Sequence, residues 1–530
     1  MKISIRNGKD KIIFASIVLM TVLAFARSFF GFDWSDEAYV IAVCKRVIEG
    51  EKYFLDILDP HLFTSVVIYP FIKLYNIAMD GYAGILLYMR IILVLVQSGC
   101  SLFGYCSLRE QEHPLFYHLI IALIPFFAPT GVRTLSYNTL VFLGGYILMV
   151  LLYSHYSFKV RQTAAGIITA IIVFAYPGTV LVIPVLWLYF LRHDKTWKYY
   201  IVSGLITGLI FGVFLLAHCS FPDLFTGLRT LTGNPEYKDQ TLPMKALNLL
   251  TEIYYLIVQS TGIPLFFLMS GITVCLYFLK RKKAFNENII CVLWEGALFL
   301  ISVCLFLQNR DLRYLIVPSV YGNLLLYILY GKKESTDLWA FALVTALMAA
   351  VYAMSDLGLP HAFQESLLLL FFLGRVKSGK VLLLIQVLLI LMMNLMDVHR
   401  DGKLTELTAH LSEGSAAGLY TTAESAAKYA EVEHILQTLN EEESDGRIVF
   451  IRLLPFGYLD VNRKPGTAYV WRYYGSYKIS ADTDTVVIMK DDYGNNTFYT
   501  AEKSSIWKYI RKNLPVKEEY ASCEIYRKGE

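Results

Sequence analysis

Residues 11–37 read KIIFASIVLMTVLAFARSFFGFDWSDE, a basic start, a long apolar run, and then Asp33, Asp36 and Glu37 within five residues. A helix needs about 20 apolar residues to cross a bilayer, and this run supplies them. Lys2, Arg6, Lys9 and Lys11 precede it. Basic residues stay on the cytoplasmic side, so Met1 is expected inside and the Asp33 loop outside. The segment resembles a secretory signal, with Ala24-Phe25-Ala26 as a cleavage-like site. It is long for an h-region, however, and apolar runs continue after it, so an uncleaved first span is expected.

The pattern repeats along the chain. The 530 residues are 56% hydrophobic and 15% aromatic, with only 17% charged and a mean hydropathy of +0.48. A soluble domain carries more charge. Further spans are predicted at 85–107, 115–131, 138–157, 163–176, 178–191, 199–217, 250–279, 288–307, 314–330, 337–354, 362–375 and 380–396. The basic clusters Lys159/Arg161, Arg192/Lys195/Lys198, Lys280–Lys283, Lys332/Lys333 and Arg375/Lys377/Lys380 all fall inside if His61–Met79 does not cross. A juxtamembrane or re-entrant helix, with Pro70 and Lys73 in it, is therefore expected there. The total is about thirteen spans.

Composition changes near Asp397. Two units follow: a membrane part, 1–396, and a charged, Tyr-rich part, 397–530, expected outside as a small α/β domain. In the latter a helix is predicted at Ala423–Asn440 and another at Ser504–Leu514. Strands are predicted at Arg447–Leu454, Ala468–Tyr473, Thr485–Met489 and Cys523–Arg527. The eight cysteines include no CxxC pair and suggest no disulfide framework.

Long outer loops and short inner ones place the chemistry outside. In the first loop, Asp33, Asp36, Glu37, Tyr39, Asp59 and His61 are candidates, ahead of an amphipathic helix expected through Val47. Carboxylates at a membrane face are costly and mark function. Arg133, Tyr137 and Asn138 lie at the outer end of one span. Arg310 and Arg313 lie at the outer end of another, against the positive-inside trend. Arginine suits phosphate because its planar fork donates two parallel hydrogen bonds.

Asp36-Glu37-x-Tyr39, Gly50-x-x-Tyr53 and Asp59-Pro60-His61 resemble the first outer loop of GT-C membrane glycosyltransferases. The nearest likeness is the branch of protein O-mannosyltransferases and lipid A aminoarabinose transferase. Arg133 to Asn138 is similar to that family's second motif, and Arg313-Tyr314-x-x-x-Pro318 to a later one. The resemblance covers residues 10–400. It implies a multi-pass cell-membrane enzyme that takes a sugar from a polyprenyl-phosphate carrier. The acceptor would be a lipid, glycan or protein hydroxyl at the outer face. It also implies Asp36 as general base beside Glu37, an inverting displacement, and Arg133, Arg310, Arg313 and His61 as donor-phosphate ligands. Two positions depart from the pattern. Asn138 stands where the second motif carries an acid, and His61 stands near the place of a lysine. No cofactor is expected, since a divalent metal lacks its second acidic motif, and no nucleic-acid partner is expected. A transporter or flippase of lipid-linked sugars is the alternative, with Glu295 inside a span and Pro177-Gly178 breaking another. A non-enzymatic scaffold with a partner-binding outer domain leaves the acidic loop unexplained.

Overall fold

A computed structural model describes residues 8–59, 61–110, 113–193, 197–232, 287–309, 338–353, 380–442, 444–451, 455–471, 479–490 and 505–529, with scattered positions between 243 and 371. The chain is mostly helical. Thirteen helices precede residue 397 among the described residues: α1 Gly8–Arg27, α2 Asp36–Ile48, α3 Leu62–Met79, α4 Ile85–Leu108, α5 Leu115–Leu123, α6 Tyr137–Tyr153, α7 Phe158–Ala175, α8 Val182–His193, α9 Lys198–Ala217, α10 Phe221–Thr232, α11 Glu287–Asn309, α12 Leu338–Ala353 and α13 Lys380–Met396. Four of them, α3, α4, α7 and α9, are long and apolar enough to cross a membrane, and five shorter apolar segments accompany them. The spans predicted at 250–279, 314–330 and 362–375 lie wholly or largely outside the described residues.

The His61–Met79 stretch is helical, as expected. It forms one unbroken helix, α3, with Pro70 inside it, as long and apolar as the spanning helices. Segment α2 differs from the amphipathic expectation. Its residues Glu37 to Val47 are all buried, so the helix is encased rather than lying amphipathically on a surface.

Small residues bring the membrane helices together. Lipid offers no hydrophobic drive for helix association, so close backbone approach supplies it through packing. A Cβ on Gly166 of α7 would collide with the Tyr200 carbonyl and the Ser203 hydroxyl of α9. Gly104 of α4 likewise accommodates the Tyr146 hydroxyl of α6.

Beyond α13 the chain forms a short hairpin, β1 Ala409–His410 with β2 Tyr420–Thr421, then helix α14 Ala423–Glu441. A four-stranded sheet follows in the order β3–β4–β6–β5, from Arg447–Ile451, Thr483–Met489, Cys523–Arg527 and Val516–Glu519, with helix α15 Ser505–Asn513 before β5. Pair β3–β4 is parallel and the others are antiparallel. Alternate strand residues face opposite sides. Phe450, Val487 and Ile525 join the α14 residues Val432, Leu436 and Leu439 in one core. Val449, Val486 and Ile488 pack with Ile506 and Ile510 of α15 in another. The strand predicted at Ala468–Tyr473 is instead irregular through Trp471, and its remaining residues lie outside the described set.

This part rests directly on the first loop. Lys45 of α2 donates to the Leu459 and Val461 carbonyls at 3.0 and 2.6 Å. The Leu58 amide bonds the Ala468 carbonyl, and Gly31 and Phe29 pair with Tyr420. Phe32 packs on Tyr429 and Phe456, and Trp34 on Phe456, at centroid distances of 5.0–5.5 Å. Residues before and after Asp397 therefore share one apolar core.

Candidate functional site

Helix α2 begins at Asp36, and its first amide groups have no partners within the helix. Asp33 supplies one: its carboxylate accepts from the Ser35 amide at 3.2 Å and the Glu37 amide at 2.9 Å. Asp33 is buried. Burial and the nearby Asp36 charge push its carboxyl up to about 6, against the pull of His399 and Arg400.

Glu37 points the other way, into the helices. Its Oε2 accepts from Arg90 Nε of α4 at 2.9 Å, and its Oε1 accepts from the Arg133 amide at 2.8 Å. Arg90 also donates to the Ser28, Phe30 and Gly31 carbonyls at 2.8–3.1 Å. Glu37 thus joins α2, α4 and the approach to α6. The Arg133 guanidinium turns to the Asn394 carbonyl of α13 and is buried.

Asp36 remains at the surface of this cluster, with its side chain 22% exposed. Its Oδ2 meets His399 Nε2 at 2.7 Å and Arg400 Nη2 at 3.2 Å. Arg400 Nη1 donates to the Ser35 hydroxyl. His399 and Arg400 follow α13 and lie more than 360 residues from Asp36 in sequence. Asp401 holds this stretch in place: it accepts from the Phe32 amide at 2.8 Å and from the Thr421 hydroxyl at 2.6 Å. Burial lowers the His399 pKa, but the hydrogen bond to Asp36 and the charges of Asp33 and Asp36 outweigh it, so the net shift is upward. Arg400 adopts φ +54°. A left-handed conformation costs a non-glycine residue roughly 1–2 kcal/mol.

His61 lies beside the cluster in an aromatic stack. Its ring is 4.0 Å from Tyr137 and nearly parallel to it, with Tyr176 stacked behind at 6.0 Å. Burial pushes the imidazole down to about 4, although Asp36 draws it up. That shift favours the neutral ring near pH 7. Asn138, the second residue of α6, is buried and donates to Thr130, while Ser136 caps that helix. Asp59 is buried further along the loop and accepts from the Val470 amide at 3.2 Å. Burial pushes it up to about 6, against Arg46, the Val470 and Trp471 amides and the Tyr39 hydroxyl. The Tyr39 ring contacts Trp471 at 4.9 Å. Arg310 and Arg313 lie outside the described residues.

The sequence reading overlooked His399, Arg400 and Arg90. Each carried a signal. Arg90 is a charge inside a spanning run, and His399-Arg400-Asp401 follows the last apolar run as the acidic loop follows the first.

Donor atoms of Asp33, Asp36 and His399 lie within 4.8 Å of one another, which places three oxygen and nitrogen ligands around one point. Asp33 already accepts two amides, and the Arg400 guanidinium sits against Asp36.

No protein-family model and no curated protein matches the chain. Solved structures do match. One is ArnT from Cupriavidus metallidurans bound to undecaprenyl phosphate, 14% identical, with 97% of each chain covered and a TM-score of 0.37. A likeness of that size assigns no activity.

Proposed function

We propose that the chain is a membrane glycosyltransferase of GT-C type, with Asp36 as general base. It moves a sugar from a polyprenyl-phosphate carrier to an acceptor hydroxyl at the outer membrane face. The supporting observation is the division of labour among three neighbouring carboxylates. Asp33 caps α2 and Glu37 is locked against Arg90, whereas Asp36 faces outward with polar partners. It does so beside the end of α13, where the apolar helices meet the polar region after Asp397.

The chemistry needs one base. The acceptor oxygen attacks the anomeric carbon and its proton passes to the Asp36 carboxylate. The bond from that carbon to the phosphate oxygen breaks, and its electron pair leaves with the phosphate. A single displacement inverts the anomeric centre, unlike the paired-carboxylate geometry of retaining glycoside hydrolysis. Charge grows on the departing phosphate and calls for a fixed cation nearby.

Purified protein in nanodiscs, incubated with labelled polyprenyl-phosphate sugars and extracted acceptors, tests this. Transfer in wild type that disappears in Asp36→Asn is the expected result. Turnover in the variant near that of wild type would overturn the assignment of Asp36.

A further inference from the structure

We propose that Arg400 binds the donor phosphate, and that it does so by exchanging Asp36 for the phosphate. This rests on the glycosyltransferase reading and names the residue that takes the carrier.

Four arginines lie around the neighbouring Asp36 and Glu37: Arg27, Arg90, Arg133 and Arg400. The first three are 6%, 3% and 7% exposed and donate to the backbone carbonyls of Ser28, Phe30, Gly31, Asn394, Leu395 and Asp397. They hold helices together. The Arg400 side chain is 27% exposed, and its partners are side chains of the first loop: Ser35, Asp36, and Asp33 at 3.9 Å. It is the guanidinium of this set that solvent and a ligand can reach.

Its backbone gives a second, independent indication. Arg400 is one of four non-glycine residues with positive φ among those described. The conformation turns the side chain back to the start of α2, while Asp401 anchors the loop on both sides. Strain held in place by surrounding bonds is a mark of functional positions.

Asp36 Oδ2 receives two cationic donors at once, His399 and Arg400. A carboxylate so occupied is a poor proton acceptor. A phosphate ester competes for the guanidinium because its oxygens match the same planar fork. Once Arg400 turns to the phosphate, Asp36 keeps His399 and loses the guanidinium that competes with the acceptor proton. Donor binding then prepares the base. His399 is a positioning residue here, fixing the carboxylate while its other partner leaves.

The test uses full-length protein in nanodiscs and follows tryptophan fluorescence on titration with undecaprenyl phosphate, with uncharged undecaprenol as control. Arg400→Gln is expected to weaken undecaprenyl phosphate binding at least tenfold and to leave undecaprenol unchanged. Arg400→Lys should lie between. Asp36→Asn removes the competitor and should bind undecaprenyl phosphate as tightly as wild type or tighter, which a merely structural role for the Asp36–Arg400 pair does not produce. Wild-type binding in Arg400→Gln, or weakened binding in Asp36→Asn, overturns the proposal. The Asp36→Asn arm decides it if Arg400→Gln does not fold. Absence of undecaprenyl phosphate binding in wild type overturns both this assignment and the glycosyltransferase reading. Normal sugar transfer with unaffected binding in Arg400→Gln sinks this assignment alone.

Discussion

Replacing Glu37 by Gln tests whether the second carboxylate of the loop serves the architecture or the chemistry. Both members of the Glu37–Arg90 pair are 3% exposed, and Arg90 keeps three carbonyl partners when Glu37 is neutralised. Breaking a buried pair by removing one partner costs about 3–5 kcal/mol, because the other charge is left uncompensated. Unfolding entropy is about 2.1 cal/mol/K per residue, or roughly 1.1 kcal/mol/K for a chain of this length melting as a unit. The midpoint in detergent should therefore fall by about 3–5 °C in Glu37→Gln, and by a similar amount in Arg90→Met. The double variant Glu37→Gln with Arg90→Met leaves no stranded charge and loses chiefly the carbonyl bonds, about 1 kcal/mol each. Its midpoint should lie well above the sum of the single losses. Melting followed by intrinsic fluorescence supplies the four corners of the cycle. Strictly additive losses would refute the claim that Glu37 and Arg90 act as one unit, and would return Glu37 to the list of chemical groups.

Asp36→Asn should behave in the opposite way: a melting midpoint near that of wild type, with transfer reduced about 10²- to 10⁴-fold in a radiolabelled-donor assay. Gly166→Leu should separate α7 from α9 and lower the yield of monodisperse protein on size exclusion, since the new side chain meets backbone rather than a flexible side-chain end. Burial and the neighbouring Asp460 raise Glu433 to about 8, and burial raises Asp460 itself to about 6, against bonds from Ser415. The native state thus holds these protons more tightly than the unfolded chain, so stability is fullest at low pH and is lost as pH rises through 6 and then 8. Proteolysis of the region after α13, measured from pH 5.5 to 8.5, should accelerate across that window. Glu433→Gln should flatten the upper half of the profile.

Local signals made much of this molecule legible. The runs at 85–107 and 199–217 become α4 and α9 almost residue for residue, because apolar length alone specifies such helices. The helix at 423–440 and the strand at 485–489 also form, the latter extended to Thr483. The acidic loop was visible as a cluster of charge. The fate of each acid was not, because it depends on distant partners: Arg90 for Glu37, Val470 for Asp59, and His399 with Arg400 for Asp36. Segment α2 reads as amphipathic, yet Lys45 and Arg46 are buried in it. Carbonyl acceptors from the later domain and the Glu51 carboxylate make their burial tolerable. The Ala468 region reads as a strand, yet its backbone pairs with Leu58 and Asp59 instead of a sheet neighbour.

Arg27, at the end of the first helix, donates to the Leu395 and Asp397 carbonyls at the end of the last described membrane helix. In a chain made from its N-terminus, that bond cannot exist until nearly four hundred residues have been synthesised and threaded into the bilayer. His399 and Arg400 emerge in the same moment. Asp36 therefore waits through most of translation without His399 and Arg400, whereas Arg90 is already made for Glu37. A prematurely terminated chain carries the three carboxylates but lacks both of the cations that meet Asp36.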